Sequence, residues 1–177
     1  MSLVISHYLA NKHQRNRDHL QLKKKFNLQG SATVKSDAAW NAENKIAGFG
    51  WLIQDQQEKT IEQGINSNLF VNSPLMAEAI GMLKGLEFAR VRGFQNINAQ
   101  SDSLQLIQAL NNKFEFRKLH GLISDIRTTA RDFSLINYSY IPRLENRIAD
   151  SLAKRCLNAL LSIPDGNISE MSVSSFV

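Results

Sequence analysis

Between Ser31 and Arg90 three strand patterns, separated only by short turns, run into one strong helix, and that order restricts the fold more than any other feature of the chain. In SATVKSDAAW, Val34, Ser36, Ala38 and Trp40 alternate with Thr33, Lys35, Asp37 and Ala39, the two-residue period of a strand. NAENK reads as a turn, and AGFGWLIQD as a second strand. Its Gly48 and Gly50 carry no side chain and admit another backbone at close range. DQQEK turns again, and TIEQGINSNLF is a third, less regular strand. Strands joined by such short turns pair antiparallel. SPLMAEAIGMLKGLEFAR then supplies the helix, with Ser73 as N-cap, Pro74 as first residue and Gly93 as terminator. Its apolar stripe is Leu75, Ala79, Met82, Leu83, Leu86 and Ala89.

The pattern then changes. FQNINAQSD is a short strand, SLQLIQALNN a short helix, and KFEFRKLHG a linker. LISDIRTTARDF is an amphipathic helix with Leu122, Ile123, Ile126 and Ala130 on one face. SLINYSYIPR is a strand. ENRIADSLAKRCLNALL is the last helix, striped by Ile148, Ala149, Leu152, Ala153, Cys156, Leu157 and Leu160. The order is βββαβααβα. A helix crossing from one strand to the next predicts parallel pairing. The expected fold is therefore α/β, a five-stranded mixed sheet with helices on both faces.

With 177 residues, 43% hydrophobic and 21% charged, the chain suits one globular domain with short extensions. No apolar run approaches a membrane span, and LVIS near the start is too short for a signal-peptide core. The single cysteine, Cys156, excludes an intrachain disulfide and a cysteine zinc cluster, and fits a reducing compartment. The net charge of +5 is unevenly spread. Residues 1–30 hold Lys12, Arg15, Arg17, Lys23, Lys24 and Lys25 against Asp18, while the remainder holds 15 basic and 15 acidic residues. A basic arm on a neutral body suggests a polyanion partner, most simply nucleic acid; a solvated tail is the plainer reading. The expected division is a basic extension over 1–30, a domain over 31–161 and a flexible, serine-rich tail over 162–177.

Four acids stand near element ends. Asp37 lies in the first strand, on the face opposite Val34 and Trp40. Glu78 lies at the edge of its helix stripe, with Met82 and Leu86 following at i+4 and i+8, so packing desolvates it. Asp102 ends the fourth strand, and Asp150 is early in the last helix. Each has an ordinary reading: a polar strand residue, a carboxylate at a helix N-terminus, a cap for the next helix, and an i+4 pair with Lys154. Taken singly, those readings are favoured. Together, the four can converge at one edge of a mixed sheet, where ligands of open α/β sheets gather. Hard oxygen ligands without histidine or cysteine suit Mg2+ or Mn2+. Two such ions about 4 Å apart can drive phosphodiester cleavage.

The segments VKSDAAW, AGFGWLIQD, SPLMAEAIGMLKGLEFAR, QSDSLQLIQAL and IPRLENRIADSLAK, spread over Ser31 to Leu161, resemble the ribonuclease H family. The likeness is greatest to the ribonuclease H-like domains of plant non-LTR retroelements and their domesticated relatives. The resemblance implies a ribonuclease H-like fold and an active site of Asp37, Glu78, Asp102 and Asp150. It implies two Mg2+ ions, with Mn2+ as substitute, and hydrolysis of the RNA strand of RNA–DNA hybrids. Hybrid recognition through 2′-hydroxyls would fall to Asn41, Ser103, Gln105 and Asn146. Asn146 belongs to the N-x-x-x-D pair of the last helix, and its ordinary role is capping. Lys113, Arg117 and Lys118 in the linker, and Lys23, Lys24 and Lys25 in the head, are the candidate phosphate contacts. Two features depart from the family. The loop IPRLEN holds Arg143 and no histidine, where many members carry one; His120 reads as a surface residue. The basic protrusion is shortened to FEFRKLHG. A catalytically silent module that binds nucleic acid or a protein is therefore the competing reading, and an integrase or resolvase relative is a third. A monomer without a membrane association is expected, nuclear or cytoplasmic, with an organelle left open by the basic head.

Overall fold

The computed structural model describes residues 31–111 and 119–162. The meander forms as the turns predict. β1 (Ser31–Asn41), β2 (Ile46–Gln54) and β3 (Thr60–Asn68) pair antiparallel, with Asn41 opposite Ile46 and Thr33 opposite Gln54. α1 (Pro74–Arg92) carries the chain across to β4 (Asn96–Ser101), which pairs parallel with β1. α2 (Leu104–Leu110) and α3 (His120–Ala130) lead to β5 (Leu135–Tyr140), parallel to β4. A 3-10 turn at Arg143–Glu145 precedes α4 (Arg147–Leu161). The sheet order is β3-β2-β1-β4-β5, so β1 is central, and the expected five-stranded mixed sheet is the one observed.

Each face is covered for its own reason. α1, α2 and α3 bury the main core, built from Val34, Ile53, Met82, Leu86, Ile97, Ala99, Leu106 and Ile126. α4 packs on the opposite face, over β2, β1 and β3. It comes down onto bare backbone: a Cβ at Gly48 would collide with Leu157 N and Ala153 O, and one at Gly50 would stand 2.5 Å from Ala149 O. The two strand glycines thus do what their sequence position suggested. β2 is buried along its whole length because large side chains fill one face and a helix backbone seals the other.

The caps of α1 match expectation. The Ser73 hydroxyl accepts from Met76 N at 3.2 Å, and Gly93 is left-handed at φ 83°, its N–H returning to Ala89 O and Arg90 O. Two apolar assignments need correction. The buried surface of α1 is wider than its stripe: Ala77, Ile80, Gly81 and Gly85 are buried, while Leu75 and Leu83 are only partly so. Gly81 and Gly85 let the helix axis approach the sheet, a Cβ at Gly85 meeting Val34 Cγ1 at 3.1 Å, and α3 then packs on a second side. In α4, Ile148 is 49% exposed and is not part of the buried stripe. The basic head, the linker lysines and arginine, and the serine-rich tail lie outside the described residues. Among the described residues, no helix is long and apolar enough to cross a membrane.

Candidate metal centre

Parallel pairing of β1 with β4 sets Lys35 opposite Gln100, so two residues further on Asp37 and Asp102 emerge at the same level. α1 crosses above them. Gly81 sits over the Asp37 carbonyl, where a Cβ would be 3.1 Å away, and this close crossing delivers Glu78. Carboxylate oxygens of Asp37, Glu78 and Asp102 all lie within 4.8 Å of one another. Asp37 is only 5% exposed. Its Oδ1 accepts from Ala38 N at 2.8 Å, but its Oδ2 is buried without a hydrogen-bond partner, and so is Glu78 Oε2. Burial, reinforced by the charge of Asp102, pushes the Asp37 carboxyl up to about 6. Burial, then Asp37 and Asp102, drives Glu78 well above the usual carboxylate range. Crowded, desolvated carboxylates with free oxygens fit a divalent cation, whose charge would reverse every one of these penalties.

Asp150 stands apart from the three. Its Oδ2 accepts from Lys154 at 2.7 Å and its Oδ1 lies 3.6 Å from Arg143 Nη2, so the i+4 pair read from the sequence is formed. It is nonetheless close enough for its charge to contribute to the rise of Asp37. Asn146 occupies the N-cap position of α4 yet makes no side-chain cap bond. It is fully buried. Its Nδ2 donates to Ser36 O and to Asp102 Oδ1, each at 3.0 Å. The side chain therefore ties the start of α4 to β1 and fixes one oxygen of Asp102, in place of the capping role. Its Oδ1 is buried without a partner.

Residues 35–156 match the model of the reverse transcriptase-like family. The chain belongs to that family of ribonuclease H-like domains. Comparison with curated protein sequences finds no match. Among solved structures, it is similar to ribonuclease H1 from the halophilic archaeon Halobacterium salinarum. That match has TM-score 0.69 and 22% identity, over 73% of this chain and 99% of that one. It is similar to the N-terminal ribonuclease H domain of a Mycobacterium tuberculosis protein, with TM-score 0.68 and 21% identity, over 74% and 96%. A ribonuclease H1 isolated from compost by a metagenomic approach, solved in complex with an RNA/DNA hybrid, matches with TM-score 0.68 and 17% identity, over 74% and 99%. At these identities the likeness is one of fold.

Of the remaining site candidates of this ribonuclease H-like domain, two stand beside Asp102 in the chain. Ser103 and Gln105 follow Asp102 directly at the start of α2; Ser103 N donates to Ser101 Oγ at 3.1 Å and Gln105 is exposed. Asn41 spends its Oδ1 on Asn44 N at 2.8 Å, closing the β1–β2 turn. Lys113, Arg117, Lys118, Lys23, Lys24 and Lys25 lie outside the described residues. The 3-10 turn of the IPRLEN loop presents Arg143, its side chain 74% exposed. Sequence reasoning missed Ser36, whose carbonyl receives Asn146, and Gly81, whose lack of a side chain seats Glu78. Gly81 did leave a signal: an interior helix glycine costs about 1 kcal/mol relative to alanine and usually marks a close approach.

Proposed function

We propose that the chain is a metal-dependent endonuclease that hydrolyses the RNA strand of RNA–DNA hybrids. The observation that carries this reading is the group of Asp37, Glu78 and Asp102 carboxylate oxygens within 4.8 Å, in which Asp37 and Glu78 each also have a buried oxygen without a hydrogen-bond partner. Membership of the reverse transcriptase-like family supports it, as does a fold neighbour solved with an RNA/DNA hybrid. Asp37, Glu78 and Asp102 would hold Mg2+ ions, two in the full site with Mn2+ as substitute, and Asp150 would join them on leaving Lys154. When bound, such ions supply Lewis acidity at a phosphodiester and stabilise the charge of in-line displacement. Asp37 and Glu78 contribute charge held at low solvent exposure, where it acts at full strength. Asn146 keeps Asp102 in one rotamer. Ser103, Gln105 and Asn41 are the side chains offered to 2′-hydroxyls, and the lysines and arginine of the linker and head to phosphates. An intracellular setting, nuclear or cytoplasmic, belongs to the same proposal and rests on the single cysteine and a nucleic-acid substrate.

One observation favours a silent binding module instead: Asp150 is occupied by Lys154 and Arg143, which leaves three acids without a salt bridge among the described residues. Purified protein with an end-labelled hybrid and Mg2+ separates the readings, with duplex DNA, duplex RNA and the Asp102→Asn variant run in parallel. Cleavage of the RNA strand alone, lost in the variant, is the expected result. Hybrid bound but uncut in both Mg2+ and Mn2+ would leave the binding module.

A further inference from the structure

The loop between β3 and α1 holds a residue that packing does not explain. Phe70 is 80% exposed, the most exposed large apolar side chain among the described residues. Its backbone is left-handed, at φ 61°, a conformation that costs a non-glycine residue energy and persists where the surroundings impose it. The surroundings here do impose it. Val71 is buried; its N–H donates to Lys45 O at 2.7 Å, and its carbonyl accepts from Trp40 Nε1 at 2.7 Å. On the other side Leu69 packs against the Ile46, Leu157 and Leu160 cluster. Both neighbours of Phe70 are pinned, and the ring is held out in water. Lys45 and Glu58 share left-handed backbone and exposure in the β1–β2 and β2–β3 connections, so what sets Phe70 apart is the exposed aromatic ring held at such a position.

The position narrows what that contact is. α1 begins at Pro74 and carries Glu78 one turn in. Four residues of extended chain and four of helix separate Phe70 from Glu78 by no more than about 20 Å, which is roughly six base steps. That separation is within the reach of a nucleic acid seated on the acids. From Gln63 to Ala77 the chain has no Asp or Glu to repel phosphates. In the sequence, Phe70 and Leu69 are flanked by Asn66, Ser67, Asn68, Asn72 and Ser73, a polar context unlike the apolar centre of a protein interface. One aromatic ring among amides and hydroxyls is the arrangement that stacks a nucleobase. Bases inside a paired duplex are already stacked, so the ring serves one that is unpaired.

We infer that Phe70 stacks on an unpaired base beside the hybrid, so that the chain prefers RNA–DNA hybrids with a single-stranded flank over blunt ones. This rests on the hybrid reading of the acid site. The test is fluorescence anisotropy of the full chain in Mg2+, in an Asp102→Asn background that leaves the hybrid uncut, with a blunt hybrid and with hybrids carrying a five-nucleotide overhang at each end in turn. The chain that keeps Phe70, Phe70→Asn (which accepts left-handed backbone and lacks the ring) and Phe70→Trp are compared. The expected result is at least one overhang bound roughly 5- to 100-fold tighter than blunt by the chain that keeps Phe70. That advantage should vanish in Phe70→Asn, persist in Phe70→Trp, and leave blunt-hybrid affinity unchanged in all three. Blunt hybrid bound with no overhang advantage in the chain that keeps Phe70, or an advantage that survives in Phe70→Asn, overturns the inference alone. No hybrid bound by any of the proteins overturns the hybrid reading and this inference with it.

Discussion

Asp37 belongs to the acid cluster and Asp150 stands beside it, and the fold treats the two in opposite ways. Asp37 is on the central strand, nearly buried, with one oxygen lacking any partner. Asp150 is on the first turn of α4, near solvent, with Lys154 and Arg143 against its two oxygens. Burying an unpartnered carboxylate costs stability, while an exposed i+4 pair is worth only a few tenths of a kcal/mol. Without a cation the first arrangement is relieved only by Ala38 N and by a proton held between the raised carboxyls of Asp37 and Glu78, and a cation would relieve it further. The second needs no such relief, and can be given up when a cation arrives.

The comparison is broken most forcefully at its buried end. Asp37→Asn should lower hybrid cleavage by roughly 10²- to 10³-fold or more and, at pH 7 without metal, raise the melting temperature by removing an unpaired charge. A variant that loses both activity and stability would mean that Asp37 is a structural acid. Asn146→Ala should follow, at about 10- to 100-fold in Mg2+ affinity or rate, the usual effect of losing a group that orients a ligand. Isothermal titration would show the weaker binding. The expected loss is absent if Asp102 needs no help from β1.

The same contrast has a pH signature. The Asp37 carboxyl stands at about 6 in the fold against 3.8 when free, so between those values the folded state holds protons that the unfolded state has lost. Its contribution to stability is fully present below about pH 4 and is lost as pH rises through about 6, a fall of ~3 kcal/mol. Denaturant melts of metal-free wild type minus those of Asp37→Asn, at pH 4.5 and 7.5, read the joint contribution of Asp37 and its coupling to Glu78. Saturating Mg2+ should cancel the difference at pH 7.5. The smallest effect belongs to the exposed end: Lys154→Ala should change stability by under about 0.5 kcal/mol and leave cleavage equal or slightly faster, as Asp150 is released. A large loss of activity there would show that Lys154 itself acts in the site.

Local signals carried most of the fold. Ser73, Pro74 and Gly93 marked the ends of α1 because capping is decided within a few residues. Gly48 and Gly50 announced a close backbone, but only the assembled sheet shows that the backbone is α4. Non-local terms were hidden. Asn146 was legible as part of N-x-x-x-D, whereas its acceptor, Ser36 O, lies 110 residues away. Helical periodicity placed Ile148 on the apolar stripe because it ranks residues around an axis and is blind to which of them meet the sheet. The same blindness passed over Gly81 and Gly85, which matter for having no side chain. Asp150 with Lys154 was legible as a pair because i+4 geometry is local. The left-handed backbone of Phe70 follows from anchors on Trp40 and Lys45, and no pattern of residue types encodes it.

The most direct test of the metal centre is anomalous diffraction from crystals of the protein soaked in Mn2+. The account predicts a peak between the carboxylates of Asp37, Glu78 and Asp102, lost in Asp102→Asn while the fold is kept. An empty trio under saturating Mn2+, or a peak only elsewhere on the molecule, would contradict it.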